Sequence, residues 1–233
     1  MRSRLSVVIP AYEAVRYLHE TLDSVAAQTE PVDSIVVVDD GSTDATADVA
    51  TSWAASALVP VTVLRQANGG AGAARRVGLA HTDSELVSFL DADDRWLPDT
   101  AARLVAVLDD HPKALVVFGS LRSFTDESLS ADVAARRMGF GGGPGYCLSA
   151  SVVRRRAFDE LGPFGDHTFS SVDWFARLIE AGPTAAVALD EVVGERRVHS
   201  RNSSFNERDR TALYAQALKA SLDRRRTART VDP

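Results

Sequence analysis

The 233-residue chain is 45% hydrophobic and 25% charged, a balance that supports a sizeable buried core and excludes the low-apolar, high-charge composition of disordered chains. A net charge of -6 argues against a nucleic-acid partner bound by phosphate neutralisation, and a single cysteine, Cys147, excludes an intrachain disulfide and a thiolate-rich zinc site. Lys113 and Lys219 are the only lysines, so the other basic residues are all arginine and lysine-based Schiff-base or phosphate-loop chemistry is disfavoured.

Leu5 to Pro10 is a short β-branched apolar run, expected as a strand buried on both faces. Within 15–28, Val15, Leu18, Leu22 and Val25 recur at helical spacing, and Ser34 to Val38 is a second buried strand, so the chain opens with a β-α-β unit. Asp39 to Asp44 leads into an alanine-rich helix that Ser42, Thr43 or Asp44 can cap. Val61 to Arg65 is a third strand, Asn68 to Gly72 a glycine-rich turn into a helix through Leu79, and Leu86 to Leu90 a fourth strand. Asp99 caps a helix over 100–108, and Ala114 to Phe118 is another strand. Further on the alternation weakens. Gly139 to Gly145 is a glycine-dense loop, 152–161 and 173–181 are expected as helices ended by Gly-Pro, and Ala185 to Leu189 as a closing strand. Residues 206–233 are expected to form a polar helix that runs into an arginine-rich tail. No apolar run is long enough to span a bilayer and no signal-peptide pattern opens the chain, so the cytoplasm is the expected compartment.

In open α/β sheets, ligands bind where strands deliver their carboxyl ends. Three loops here share that position: 10–13, 39–44 and 91–94. Asp40 to Asp44 fit a capping turn as well as a ligand site. Asp39, at the strand edge, is suited to accept a hydrogen bond from a base N–H. In Asp91-Ala92-Asp93-Asp94, residues two apart on an extended segment point the same way, and three acids together call for a counter-charge. A hard divalent cation with positions left for phosphate oxygens meets that need; a solvated acidic turn is the plain alternative.

These segments resemble those of the family 2 glycosyltransferases in type and order. Ser6-Val7-Val8-Ile9-Pro10-Ala11-Tyr12 resembles the family's opening strand, with Glu13 where Asn is usual, and Val37-Val38-Asp39-Asp40-Gly41-Ser42-Thr43-Asp44 its second motif. Asn68-Gly69-Gly70 with Ala74-Arg75 is similar to a third segment, Arg76 standing where Asn is expected, and Leu90-Asp91-Ala92-Asp93-Asp94 matches the Asp-x-Asp motif. Leu161-Gly162-Pro163-Phe164-Gly165-Asp166 and Arg196-Arg197-Val198-His199-Ser200-Arg201-Asn202 resemble the Gly-x-Phe and Arg-x-His-x-x-Asn segments, so the likeness runs from residue 5 to about 204.

The resemblance implies a GT-A fold: α/β, Rossmann-like, with a mostly parallel central sheet flanked by helices and a smaller acceptor-side region. Residues 1–110 would be the nucleotide-sugar-binding half, 111–205 the acceptor-binding half of the same domain, and 206–233 a C-terminal helix and tail. It also implies a nucleotide site of Pro10, Ala11, Tyr12, Glu13, Asp39, Gly70, Arg75, Asp91 and Ala92, with a uridine diphosphate sugar favoured as donor. A divalent cation, Mn2+ or Mg2+, would be held by Asp93, Asp91 and His199. The implied reaction is a single displacement that inverts the anomeric centre. Ser170-Ser171 stand where the family's acidic pair is expected, which leaves Asp173 as the base and Asp166 in reserve. Plainer readings remain: Asp173 capping a helix that starts at Trp174, His199 as a satisfied core histidine, Tyr12 as packing, or the whole chain as a nucleotide-sugar-binding protein without turnover. Gly70-Ala71-Gly72 lacks the third glycine of a dinucleotide fold, and no lysine precedes residue 113 to serve a sugar-phosphate nucleotidyltransferase. Arg224-Arg225-Arg226 offers either a peripheral contact with anionic lipid or a solvated end. The acceptor, the donor sugar and the oligomeric state have no readable signal.

Overall fold

A computed structural model describes residues 3–125, 129, 146–165, 170–200, 202 and 219. The glycine-dense loop at 139–145, Asp166 and Arg224-Arg225-Arg226 lie outside the described residues. The first half alternates as β1 (Leu5–Ala11), α1 (Leu18–Ala26), β2 (Ser34–Asp39), α2 (Thr46–Ala54), β3 (Val61–Arg65), α3 (Gly70–Ala80) and β4 (Leu86–Phe89). Then come β5 (Arg95–Trp96), α4 (Thr100–Asp110), β6 (Val116–Thr125), a 3-10 turn at Leu148–Ala150, β7 (Ser151–Arg154), α5 (Arg156–Leu161), α6 (Ser170–Glu180) and β8 (Ala186–Val198).

Among the described residues the strands form one sheet in the order β3-β2-β1-β4-β7-β6-β8-β5. Strands β3, β2, β1 and β4 are parallel, β7 is antiparallel to both β4 and β6, and β5 is antiparallel to β8. Burial on both faces explains the apolar runs. Val7, Ile9, Ile35 and Val37 face one way, onto Leu18 and Leu22 of α1, Ala50 and Trp53 of α2 and Leu104 and Leu108 of α4. Val8, Val36, Val38, Val87 and Phe89 face the other way, onto Ala74 of α3, Phe158 of α5 and Trp174 and Phe175 of α6. Phe158, Phe164 and Trp174 stack at centroid distances of 5.3 to 5.4 Å and fix α6 to that face. No helix among the described residues is long and apolar enough to cross a membrane.

Four elements differ from the sequence expectation. The stretch 152–161 is not one helix, because Val152 and Val153 are each fully buried on opposite faces of the sheet and the helix starts only at Arg156. Helix α6 starts at Ser170 rather than at 173 or 174, since Ser170, Trp174 and Phe175, and Leu178 are buried at helical spacing. Strand β8 runs on to Val198, pairing β6 as far as Thr125, although charged side chains break up its apolar pattern. The two-residue β5 was too short to read.

The sheet edge at β5 is pinned by charge. Glu195 of β8 accepts from Arg95 Nε at 2.5 Å and from the Arg122 guanidinium of β6. Burial alone would raise the Glu195 carboxyl, but the hydrogen bonds from Arg122 and Arg95 outweigh it and hold the group below its ordinary 4.5. A depressed carboxyl contributes stability above its unfolded value and loses it as pH falls through the folded one. Glu195→Gln is therefore expected to lower the urea midpoint at pH 7, and its gap to wild type should narrow as pH falls from 4.5; a gap independent of pH would exclude the charge as the cause. On the opposite side of the sheet, Gly78 lets α3 lie directly on β1 and β2. An added Cβ would run into Val8 Cγ1 and come within 3.3 Å of Val38 Cγ2. Alanine gains about 1 kcal/mol in helix propensity, yet overpacking a core costs about 1–3 kcal/mol. Gly78→Ala should accordingly unfold at lower urea concentration with an unchanged m-value.

Candidate active site

The parallel register aligns Ala11, Asp39 and Arg65 in a row at the carboxyl ends of β1, β2 and β3. The Asp39 side chain is fully buried. Its Oδ1 accepts the Ser42 N–H at 3.1 Å across the turn at Gly41, whose φ of 75 and close approach to Asn68 N leave no space for a Cβ. Its Oδ2 lies 3.1 Å from Arg65 Nε but receives no aligned hydrogen bond. Arg65 also donates to the Ser42 carbonyl at 2.7 Å, so the arginine brackets the turn.

Asp40 has a different task. Its Oδ1 accepts from Gly69 N–H at 2.9 Å and Gln66 Nε2 at 2.7 Å, and its Oδ2 from Gly70 N–H at 2.8 Å. It thus caps α3 across the loops, while α2 is capped by Asp44, which accepts the Thr46 N–H at 2.9 Å. The Gly70 amide is taken by this cap. Tyr12 is half-exposed beside the turn, Pro10 is partly buried and Ala11 is buried. Glu13 has a positive φ of 50; its Oε1 accepts from Thr43 N–H and Thr43 Oγ1, both at 2.8 Å, and its own N–H donates to Ser42 Oγ.

The acidic turn after β4 is held from several directions. Arg75, buried on α3, donates to Asp91 Oδ1 at 2.8 Å. Asp93 Oδ2 lies 2.9 Å from His199 Nε2 and accepts from Asn202 Nδ2 at 2.9 Å. Asn202 Oδ1 accepts the His199 N–H at 2.7 Å, which closes the loop after β8 around the histidine. Asp94 is buried, accepting the Arg197 N–H at 3.2 Å. Burial first, then the charges of Asp93 and Asp91, push its carboxyl well above the usual range, against the pull of Ser149 and Arg196. The same causes raise the neighbouring Cys147 thiol to about 12, burial leading and Asp94 and Asp91 adding. Ala92 is buried, and its carbonyl accepts from Thr21 Oγ1 at 2.9 Å.

Of the three side chains expected around a cation, the structure brings Asp93 and His199 together and turns Asp91 to Arg75. Among the described residues no three His, Cys, Asp or Glu side chains converge on one point. The pair nonetheless offers a carboxylate oxygen and an imidazole nitrogen, a donor set that fits Mn2+ or Mg2+ when phosphate oxygens supply other positions. Asp173 occupies the first turn of α6, 3.3 Å from Arg177 Nε, and Arg177 donates onward to the carbonyls of Leu161 and Pro163. Ser170 is fully buried. Several side chains that frame the acidic turn had no sequence signal of their own: Ser149, which accepts the Asp91 N–H, and Glu20 and Thr21 of α1. Arg197 and Asn202 stood in a recognisable segment, but their contacts did not.

Comparison with known proteins bears on the family and the fold. The model of glycosyl transferase family 2 matches residues 6–162. The putative teichuronic acid biosynthesis glycosyltransferase TuaG of Bacillus subtilis is 32% identical over 214 residues, 87% of this chain and 82% of that protein. An uncharacterized glycosyltransferase of Nostoc sp. is 44% identical over 104 residues and the succinoglycan biosynthesis protein ExoW of Rhizobium meliloti 43% over 100; these matches cover 45% and 42% of the chain. They span only 32% and 31% of those two relatives. Among solved structures, Staphylococcus aureus TarS 1-349 in complex with UDP-GlcNAc superposes with a TM-score of 0.69 at 20% identity, over 94% of this chain and 65% of that one. The mannosyltransferase PcManGT of Pyrobaculum calidifontis, in complex with GDP-Man and Mn2+, gives 0.68 at 23% identity, over 87% and 59%. These two share the fold. With the family match covering more than half of the chain and TuaG aligned along most of both proteins, the chain belongs to the family 2 glycosyltransferases.

Proposed function

We propose that the chain transfers a sugar from a nucleoside-diphosphate sugar, with a UDP-sugar as the favoured donor, to an acceptor hydroxyl in a cation-dependent, inverting displacement. One observation carries this reading: Asp93 Oδ2 meets both His199 Nε2 and the Asn202 amide N–H2, so a turn after β4 and a loop after β8 bring together a carboxylate and an imidazole suited to a divalent cation. A bound cation would draw off negative charge from the departing diphosphate. The chain's own groups do the rest. Asp39 presents a buried carboxylate oxygen to a base N–H, with Tyr12 and Ala11 beside it. Arg75 keeps Asp91 fixed next to Asp93. In the transfer, the acceptor oxygen forms a bond to the anomeric carbon as the bond to the diphosphate oxygen breaks, and Asp173 takes the acceptor proton. The complexes of neighbours with UDP-GlcNAc and with GDP-Man and Mn2+ support a nucleotide-sugar donor and leave the base to be tested.

Thermal unfolding with UDP, GDP and dTDP, each with and without Mn2+, tests the site without an acceptor. A native-state ligand at 100 times its Kd adds about 2.7 kcal/mol. A metal-requiring shift with UDP is expected, reduced by Asp39→Asn and by Asp93→Asn; no shift with any pair would overturn the reading.

A second reading is a nucleotide-sugar-binding protein without turnover. The fully buried Ser170, standing where an acid is expected, favours it. Asp173→Asn separates the two: the nucleotide shift should persist while sugar transfer falls roughly 10^2 to 10^4-fold. Unchanged transfer would remove Asp173 as the base, and a wild-type chain inactive over a panel of donors and acceptors would favour binding alone.

A further inference from the structure

Asp93 and His199 are separated by 106 positions in sequence, and neither is held in place by the sheet ladder alone. What fixes them relative to one another is a set of contacts that converges on Arg197. Its side chain is only 10% exposed. Its N–H donates to Asp94 Oδ1, its Nε donates to the Asp93 carbonyl at 3.3 Å, and its own carbonyl accepts from Asn202 Nδ2 at 3.1 Å. Asn202 also grips the Asp93 carboxylate, so one residue anchors the turn through its main chain and its side-chain partner together.

The guanidinium is itself clamped. It lies over the Phe124 ring at 4.5 Å and over the Tyr17 ring at 4.8 Å, and it pairs with Glu20 of α1. The other oxygen of Glu20 pairs with Arg95, which covers Phe124 from 4.2 Å. The Tyr17 ring, one helical turn from Glu20, packs on His199 at 4.7 Å between centroids. Thr21, next along α1, donates its hydroxyl to the carbonyls of Ala92 and Asp94. One face of α1 therefore touches the acidic turn, the arginine and the histidine.

We propose that Arg197, braced by Glu20, is a positioning residue that fixes the distance between Asp93 and His199 before a divalent cation and a diphosphate arrive. The inference rests on the cation-dependent reading above. It assigns a role to residues whose partners in the structure include the acidic turn, Arg95 and one another. Both replacements needed to test it are small. Glu20→Gln keeps the shape but removes the charge and puts an N–H2 donor in place of one of the two oxygens that face Arg95 and Arg197, so one of the two guanidinium groups loses its acceptor. Lys at position 197 keeps the charge but loses the planar fork that reaches Glu20 and the Asp93 carbonyl together.

The test is thermal unfolding of the full chain at saturating UDP over a Mn2+ titration, read as the Mn2+ concentration that gives half the maximal stabilisation. For Glu20→Gln and Arg197→Lys that concentration should rise by roughly 10- to 100-fold, the usual effect of removing a group that orients a metal ligand. Should Arg197→Lys fail to fold, Glu20→Gln, at a side chain 45% exposed, decides alone. A variant whose metal-free melting temperature drops while its half-maximal Mn2+ concentration stays put has a structural defect only, and overturns the proposal. A wild-type chain without any Mn2+-dependent shift overturns the cation reading and this inference with it; a wild-type shift with unmoved variants overturns this inference alone.

Discussion

Crowding carboxylates at the carboxyl ends of neighbouring parallel strands is electrostatically costly, and the rest of this structure is arranged to meet that cost with arginine. Asp39 faces Arg65, Asp91 faces Arg75, Glu195 lies between Arg95 and Arg122, and Glu20 pairs with Arg95 and Arg197, while Arg197 holds the Asp93 and Asp94 turn through its main-chain N–H and its Nε on a carbonyl. Each arginine comes from a different element from its acid, so every pair is also a tie between elements. Arginine suits this demand better than lysine does. A compact ammonium neutralises a charge at one point, whereas a guanidinium donates along several directions in a plane and stacks on rings, as Arg95 and Arg197 do on Phe124. Under the proposed reading, a cation and its phosphate partners complete the balance at Asp93.

The two adjacent aspartates after β2 illustrate how one local sequence divides its labour. The strand ends at Asp39, whose buried carboxylate stays in its own turn and keeps one oxygen without an aligned donor. Asp40, one position on, projects away from that turn and satisfies the first amides of α3. Fixing α3 this way also fixes Arg75, one turn further along the same helix, and hence the position of Asp91. The Asp39 turn and the Asp91 turn, the base side and the diphosphate side of the site under the proposed reading, are thus joined through a cap, with no side-chain contact between Asp39 and Asp91 required.

Much of the fold was legible because β1 to β4 are buried on both faces and carry little but β-branched and aliphatic residues, while their helices show clean apolar spacing. The acidic turns were legible for a related reason: a run of carboxylates directly after an apolar strand has few explanations. The failures share a cause as well. Val152 and Val153 read as part of a helix because a four-residue strand has no period to display, and β8 was cut short because Asp190, Glu191, Glu195 and Arg196 hide its alternation. Contacts made through space left no trace either. Nothing in the sequence pairs Glu20 with Arg197, 177 positions later, or assigns Asp40 to α3 rather than α2.

Glu13 is the clearest departure from the family's pattern, and its geometry explains how the departure is tolerated. The residue has a left-handed backbone, a conformation that asparagine accepts more readily than glutamate and that costs of order 1–3 kcal/mol in a residue with a full side chain. Its longer carboxylate reaches Thr43 and accepts two hydrogen bonds there, while its amide donates to Ser42. Those bonds offset the strain and tie the loop after β1 to the loop after β2. Tyr12 is therefore carried on a backbone anchored on both sides, by Ala11 in the sheet and by Glu13 against Thr43. Under the proposed reading, a half-exposed ring on such an anchored segment gives up little conformational freedom when a planar base covers it, so the strain at Glu13 would serve the base-binding role proposed for Tyr12.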